Sequence, residues 1–264
     1  VVADWLAAGI DPSKATLVRQ SALAQHAQLS QLFGMMTTVA RLERVPTYKD
    51  QIQNLGLNPS LGLLAYPVLQ SADILVYKAN LVPVGEDQLP HIELTREIAR
   101  RFNTLYGETF PEPDGLLTKT ARLPGVDNRT MHSSYNNAIR FIESEEDTTK
   151  KVMSMYTDPT RLRATDPGTV EGNPVFEYHD VFNPNKDEVE DFKTRYREGK
   201  VGDVEVKKSL AAALNTYLRP IRERRAEYLK DPAKVVNILD EGTEKARPLV
   251  EATFDEVMRK MGLK

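Results

Sequence analysis

The chain has 264 residues, 41% apolar and 28% charged, a balance that fits a globular protein with a real core and gives length for one large domain, or a large and a small one. Its formal charge of −3 excludes a global basic field, so any nucleic-acid contact must come from a local patch. The absence of cysteine excludes disulfides and thiolate metal sites, and the four histidines (His26, His91, His132 and His179) share no ligand spacing. No apolar run approaches the roughly 20 residues that span a bilayer, and no secretory signal pattern occurs, so a cytoplasmic protein without membrane contact is expected.

In chain order, Val1-Val2-Ala3-Asp4-Trp5-Leu6 already reads as the interior of an amphipathic helix, the expectation being that a longer polypeptide precedes it. Gly9 suits a C-cap and Asp11-Pro12-Ser13 a turn. Residues 15–19 are strand-like, and Ser21 is placed to cap a helix whose Leu29, Leu32, Phe33 and Met36 recur at helical spacing. Residues 39–60, mixed and polar with Pro46 and Pro59, predict a connecting or inserted segment. A helix is expected over 61–77, bent at Pro67, which lacks a backbone donor. A strand over 81–84 follows, then a helix over about 89–102 with Ile98, Ala99 and Phe102 turned inward. This alternation predicts an α/β fold with a parallel, doubly wound sheet. Turn formers and polar side chains crowd residues 121–137, as in a mobile loop. Beyond it the pattern is helical, from Ser144 as an N-cap through 186–198, 203–229 and 231–262, ending at Gly262.

Within 61–77 the apolar run is interrupted by Tyr66, Gln70, Asp73 and Tyr77, at i, i+4, i+7 and i+11, which is one helical face. A carboxylate flanked by Ala72, Ile74, Leu75 and Val76 is costly to bury unless something hydrogen-bonds to it. The strand that follows ends in a Gly turn with Glu86, Asp87 and Gln88 at its carboxyl end, the edge where open α/β sheets place ligands. Together the two pieces predict an apolar pocket with a few polar groups inside, suited to a small molecule.

These residues carry a resemblance. Leu42-Glu43-Arg44-Val45-Pro46-Thr47-Tyr48-Lys49, the helix with Tyr66-Pro67 and Asp73-Ile74, and Val82-Pro83-Val84-Gly85-Glu86-Asp87-Gln88 with His91-Ile92-Glu93-Leu94-Thr95-Arg96 resemble the bacterial tryptophanyl-tRNA synthetases. Thr157-Asp158-Pro159, Gly172-Asn173-Pro174-Val175 and Leu218-Arg219-Pro220-Ile221 extend the likeness to this class I aminoacyl-tRNA synthetase family almost end to end. Two departures stand out. The family's first ATP motif, of the His-Ile-Gly-His or Thr-Ile-Gly-Asn type in an N-terminal β-α unit, has no counterpart here, so a front end before Val1 is expected. Where the family carries Lys-Met-Ser-Lys-Ser, this chain has Thr130-Met131-His132-Ser133-Ser134, as in a divergent second-copy form.

The resemblance implies a Rossmann-type parallel sheet, incomplete at its N-terminus, in a catalytic domain over 1–123 with an inserted segment near 39–62. It further implies a mobile ATP loop over 124–137, an α-helical anticodon-binding domain over 138–240, and a C-terminal helix over 241–264 packing back on the catalytic side. The implied activity is ATP-dependent activation of L-tryptophan, with Mg2+, and transfer to tRNA(Trp), by a homodimer joined around residues 25–62. Tyr66, Gln70, Asp73, Ile74, Val82, Val84 and Gln88 would bind tryptophan, with Asp73 accepting the indole N–H. Gly85, Glu86, Asp87 and Leu123 would bind ATP, and Lys49, Thr130, Met131, His132, Ser133 and Ser134 would form the catalytic set. Losing a charge-stabilising donor typically costs roughly 2.7–4 kcal/mol of transition-state stabilisation. Activation is therefore expected to be slow unless Lys49, Lys119, Arg122, Arg129 or a protonated His132 compensates, and this stretch alone is expected to be inactive. Lys150, Lys151, Arg161 and Arg163, and then Arg219, Arg222, Arg224 and Arg225, are candidate tRNA contacts. The rival readings are a tyrosyl-tRNA synthetase, since the stripe also suits a phenol, and a non-catalytic tryptophan-binding paralogue acting through an accessory protein partner.

Overall fold

The computed structural model of the chain describes residues 1–55, 58–117, 123–131, 135–161, 163 and 165–264. In chain order it contains α1 (Val2–Ala8), α2 (Gln25–Met36), α3 (Val39–Leu42), α4 (Pro46–Leu55), α5 (Leu61–Leu75), β1 (Leu81–Pro83), α6 (Leu89–Tyr106) and β2 (Asp114–Leu116). These are followed by α7 (Glu145–Met153), α8 (Pro174–Phe182), α9 (Lys186–Arg197), α10 (Asp203–Lys230) and α11 (Pro232–Lys260). Contacts divide the chain into two units, one made of Pro12–Ala121 with Val236–Lys264, the other of Val1–Asp11 with Arg122–Val235.

In the unit that carries the polar stripe, helical periodicity gives the core. Val68, Ala72 and Leu75 of α5 meet Leu29, Phe33 and Met36 of α2 and Leu94, Ile98 and Phe102 of α6, and Ala246, Val250 and Val257 of α11 complete the cluster. Phe102 and Phe110 pack edge-on with centroids 5.0 Å apart. A buried polar tie joins α5 to α6, where the hydroxyls of Ser71 and Thr95 meet at 2.9 Å. β1 and β2 pair in parallel with Val82 opposite Gly115, and α6 lies between them in sequence as the crossover.

Several local expectations are corrected. Residues 15–19 form no strand, because they have no ladder partner among the described residues. They run along α11 instead: the Arg19 N–H donates to Thr243 Oγ1 at 2.9 Å, and a Cβ placed on Gly242 would lie 2.1 Å from the Leu17 carbonyl oxygen. Within the expected connecting or inserted segment, residues 39–42 and 46–55 are helical. Thr38 caps α3 by accepting from the Arg41 N–H, and Pro46 stands first in α4, where its missing N–H has no partner to lose. Ser21 does not cap α2, whose N-cap is Ala24; residues Gln20–Ala22 make a single 3-10 turn. α5 stops at Leu75, two residues short of the periodic run. The parallel sheet is present as one strand pair among the described residues, in keeping with a Rossmann-type sheet that is incomplete here.

The other unit is helical. Ser144 caps α7 by accepting from the Asp147 N–H, with Glu145, Glu146 and Asp147 in the first turn facing the positive end of the helix. Val152 of α7, Phe176 of α8, Phe192 and Tyr196 of α9, and Leu210 and Leu214 of α10 form its core. Arg161 is buried, its guanidinium 4.0 Å over the Tyr196 ring and bonded to the carbonyls of Asp166 and Val201 and to Asp203. α1, capped by Gly9 in the left-handed conformation, packs on α10, where Arg224 donates to the Ala7 carbonyl and Arg225 pairs with Asp4. Among the described residues no helix is long and apolar enough to cross a membrane.

Candidate functional site

Tyr66, Gln70 and Asp73 on α5, and Tyr77 just beyond its end, are each met by a side chain from another segment. Tyr66 comes first: its hydroxyl lies 2.7 Å from Thr47 Oγ1 on α4 and 3.1 Å from His91 Nε2 on α6. Burial pushes the His91 imidazole below its usual value, so it is neutral at neutral pH, and its Nδ1 has no partner among the described residues. One turn on, Gln70 donates to Gln88 Oε1 at 3.4 Å, and Gln88 in turn donates to Asp87 Oδ2 at 2.8 Å.

Asp73 has the densest surroundings. Gln20 Nε2 lies 2.8 and 2.7 Å from its two carboxylate oxygens, and His26 Nδ1 lies 2.7 Å from Oδ1. The second nitrogen of His26 faces the Tyr77 hydroxyl at 3.1 Å, and burial, followed by the charge of Asp73, pushes that phenol above its usual value. Ala72, Leu75 and Val76 belong to the core, while the Asp73 side chain keeps 36% of its surface accessible. The donors that such a carboxylate requires are therefore supplied by Gln20 and His26, while part of its surface stays accessible.

The remaining candidates fall at several places. Ile74 is buried. Val82 on β1 and Val84 just beyond it are half-buried, and the Val84 N–H continues the ladder to the Leu116 carbonyl at 3.1 Å. Gly85 is extended and leads into the single 3-10 turn Glu86–Gln88, with Glu86 and Asp87 exposed ahead of the N-terminus of α6. Lys49 is exposed on α4 and, about 200° around the helix from Thr47, does not share the face that reaches Tyr66. Leu123 packs against the core of the helical unit. Thr130 bridges to Pro124, and the root of this loop is pinned by the buried Asn137, which donates to Asp127 at 2.9 Å and to the Thr130 carbonyl at 3.1 Å. Met131 is half-buried; His132, Ser133 and Ser134, with Lys119 and Arg122, lie outside the described residues.

Most side chains of the two basic clusters have partners within their unit. Lys150 pairs with Glu146 and Lys151 with Glu143, while Arg219 pairs with Glu145 and Arg222 donates to Thr148 and Asn215. Gln20, His26, Thr47 and His91 escaped the reading of function from the stripe. Thr47 and His91 stand inside quoted family segments, but no spacing in the sequence marks Gln20 or His26 as partners of Asp73.

Fold and site together define the class. The family model of class I tRNA synthetases (W and Y) matches residues 1–219, and the chain belongs to this family. The α/β fold is that of this class, its parallel strand pair accompanied by a helical unit. The chain is 51% identical over 265 residues to the tryptophan–tRNA ligase of Treponema pallidum, covering all of this chain and 79% of that one. It is also 51% identical over 261 residues to the tryptophan–tRNA ligase of Chlamydia caviae, covering 97% and 76%. Among solved structures, the tryptophanyl-tRNA synthetase of Campylobacter jejuni complexed with ADP and tryptophan superposes with a TM-score of 0.81 at 34% identity, over 99% of this chain and 81% of that one. A tyrosyl-tRNA synthetase from Archaeoglobus fulgidus, at 22% identity and a TM-score of 0.63, shares the fold.

Proposed function

We propose that the chain is a tryptophan–tRNA ligase that forms tryptophanyl-adenylate from tryptophan and ATP and passes the amino acid to tRNA(Trp). The observation that carries this reading is the accessible carboxylate of Asp73 on the same helical stripe as Tyr66, with Gln88 bonded to Gln70 between them. Indole is a donor only and needs an acceptor, and an ammonium needs lone pairs such as those of a phenol or an amide oxygen. A tyrosyl specificity has less support, because the curated relatives above are tryptophan ligases and the likeness to tyrosyl enzymes is one of fold.

In this reading Asp73 takes the indole N–H, Val82 and Val84 flank the ring, and Tyr66 with Gln88 holds the ammonium group. The tryptophan carboxylate oxygen attacks the α-phosphorus of ATP, the bond to the β-phosphate oxygen breaks, and pyrophosphate leaves with the electron pair. The chain contributes orientation and electrostatics, with no covalent nucleophile. Asp87 is suited to the ribose hydroxyls, and Lys49 to the phosphates. Among the described residues no cluster of three His, Asp or Glu side chains offers a metal cage. A magnesium ion held by the triphosphate and its waters fits this donor set, and it would neutralise phosphate charge. The homodimer reading is supported by a groove of 570 Å³ lined by Met36, Arg41, Ile98, Arg101 and Leu105, near which Met35 is exposed. Phe33 and Met36 themselves belong to the core. A cytoplasmic location follows from the substrates.

Tryptophan-dependent ATP–pyrophosphate exchange, measured on the full reading frame that contains this chain, tests the proposal. Slow exchange with tryptophan and none with tyrosine is expected, because Thr130-Met131-His132-Ser133-Ser134 lacks lysine. Tryptophan binding without exchange would favour the non-catalytic paralogue, and exchange with tyrosine would reverse the assignment.

A further inference from the structure

The proposed function leaves His26 without a role, yet its geometry is specific. It is 4% exposed on α2, with one ring nitrogen on Asp73 Oδ1 at 2.7 Å and the other on the Tyr77 hydroxyl at 3.1 Å. A carboxylate only accepts, so Nδ1 must carry a hydrogen and donate it. In the neutral ring Nε2 is then the acceptor, and the Tyr77 O–H donates to it; were the ring protonated, Nε2–H would donate to the phenol oxygen instead. Either way the Nδ1–H stays on Asp73. Two phenolic and carboxylate partners thus fix the rotation of the imidazole as well as its tautomer.

The lone pairs of Asp73 are then counted easily. Oδ1 receives His26 and Gln20, whereas Oδ2 receives only Gln20. A carboxylate accepts about four hydrogen bonds, so one acceptor position remains, on Oδ2, of a side chain that keeps 36% of its surface accessible. Gln20 is itself exposed and lies in a short 3-10 turn, so the buried half of the arrangement is His26 alone.

We propose that His26 is a positioning residue which, backed by Tyr77, holds the Asp73 carboxylate with a single open acceptor site and thereby sets discrimination for a bicyclic aromatic ligand bearing a ring N–H over an isosteric ring without one. The proposal rests on the reading of Asp73 as the indole acceptor. A structural role for His26, tying α2 to α5, would weaken all ligands alike; a positioning role moves the ratio between ligands.

The test is equilibrium binding of tryptophan and of β-(3-benzothienyl)alanine, in which sulfur replaces the N–H, to wild type, Asp73→Asn, His26→Phe, His26→Asn and His26→Gln. Tryptophan should be preferred by wild type, and Asp73→Asn should remove most of that preference. His26→Phe keeps ring bulk without a donor and should weaken tryptophan about tenfold while leaving the thienyl analogue within about twofold. His26→Asn places an amide N–H where Nδ1 was and should restore most of the preference, whereas His26→Gln, which mimics Nε2, should not. An unchanged ratio in His26→Phe, or equal weakening of both ligands, overturns the proposal. If wild type shows no preference, or Asp73→Asn leaves it intact, the indole-acceptor reading fails first. Should His26→Phe not fold, Tyr77→Phe carries the test: removing the hydroxyl that orients the imidazole should contract the ratio about threefold, and no contraction overturns the proposal.

Discussion

Thr47 on α4 and Tyr66 on α5 share a hydrogen bond of 2.7 Å between hydroxyls, and His91 lies within 3.3 Å of that same Thr47 oxygen. The Tyr66 proton can go to Thr47 or to His91, which leaves a phenol lone pair for an ammonium group. Tyr66→Phe is expected to weaken tryptophan binding about tenfold or more, the range for a hydrogen bond to a charged group. Thr47 and His91 would still face each other, so the urea midpoint should move little. A large loss of stability with unchanged affinity would assign the hydroxyl to folding instead.

Acid should destabilise the helical unit through His179. Its Nε2 lies 3.0 Å from the Val206 carbonyl and must donate, so Nδ1 accepts from Asn183 Nδ2 at 3.1 Å. Burial lowers the folded-state value below that of the unfolded chain. Protonation therefore favours the unfolded state: stability is full above pH about 6.5 and declines as pH falls toward the lowered folded value. His179→Gln, which still donates to Val206 without titrating, should flatten the dependence of urea stability on pH between about 7 and 5. An unchanged slope would exclude His179 as its source.

Asp158 acts at lower pH and in the same direction. Its carboxylate accepts from the Thr160 hydroxyl at 2.6 Å and from the N–H groups of Thr160 and Thr169 at 2.9 Å each, which hold its pKa at about 2. This contribution is full above the ordinary carboxylate value and is lost as pH falls through about 2. Asp158→Ala should cost the helical unit roughly 1.5–3 kcal/mol at neutral pH, read by urea unfolding. A loss below about 0.5 kcal/mol would mean that water replaces these bonds.

Gly242 on α11 faces the Leu17 carbonyl so closely that any side chain would meet backbone. Gly242→Ala should therefore lower the stability of its unit by about 1–3 kcal/mol, despite the better helix propensity of alanine. An increase in urea midpoint would show that residues 15–19 can move away from α11.

Periodic features were legible in the sequence, and features made by distant partners were not. The Tyr66, Gln70 and Asp73 stripe, the caps at Gly9 and Ser144, and helices α6, α9 and α10 all follow from local spacing, although α5 ends before Tyr77. Residues 15–19 have strand-like side chains, but a strand exists only where a neighbour pairs with it; here the Arg19 N–H goes to a threonine 224 residues away. The prolines at 46 and 59 suggested a break, whereas Pro46 starts a helix. Arg222, Arg224 and Arg225 look like a free basic run until their partners on α7 and α1 are known. Of the site, the stripe on α5 could be read directly, but Gln20 and His26 could not, because single polar residues on another element have no period.

A crystal structure with tryptophan bound is the most direct measurement. The indole nitrogen should lie at hydrogen-bond distance from Asp73 Oδ2, with the ammonium group on Tyr66 and Gln88. A ligand seated elsewhere, with Asp73 still closed by Gln20 and His26 and no contact to the indole, would contradict the assignment of this stripe as the amino-acid site.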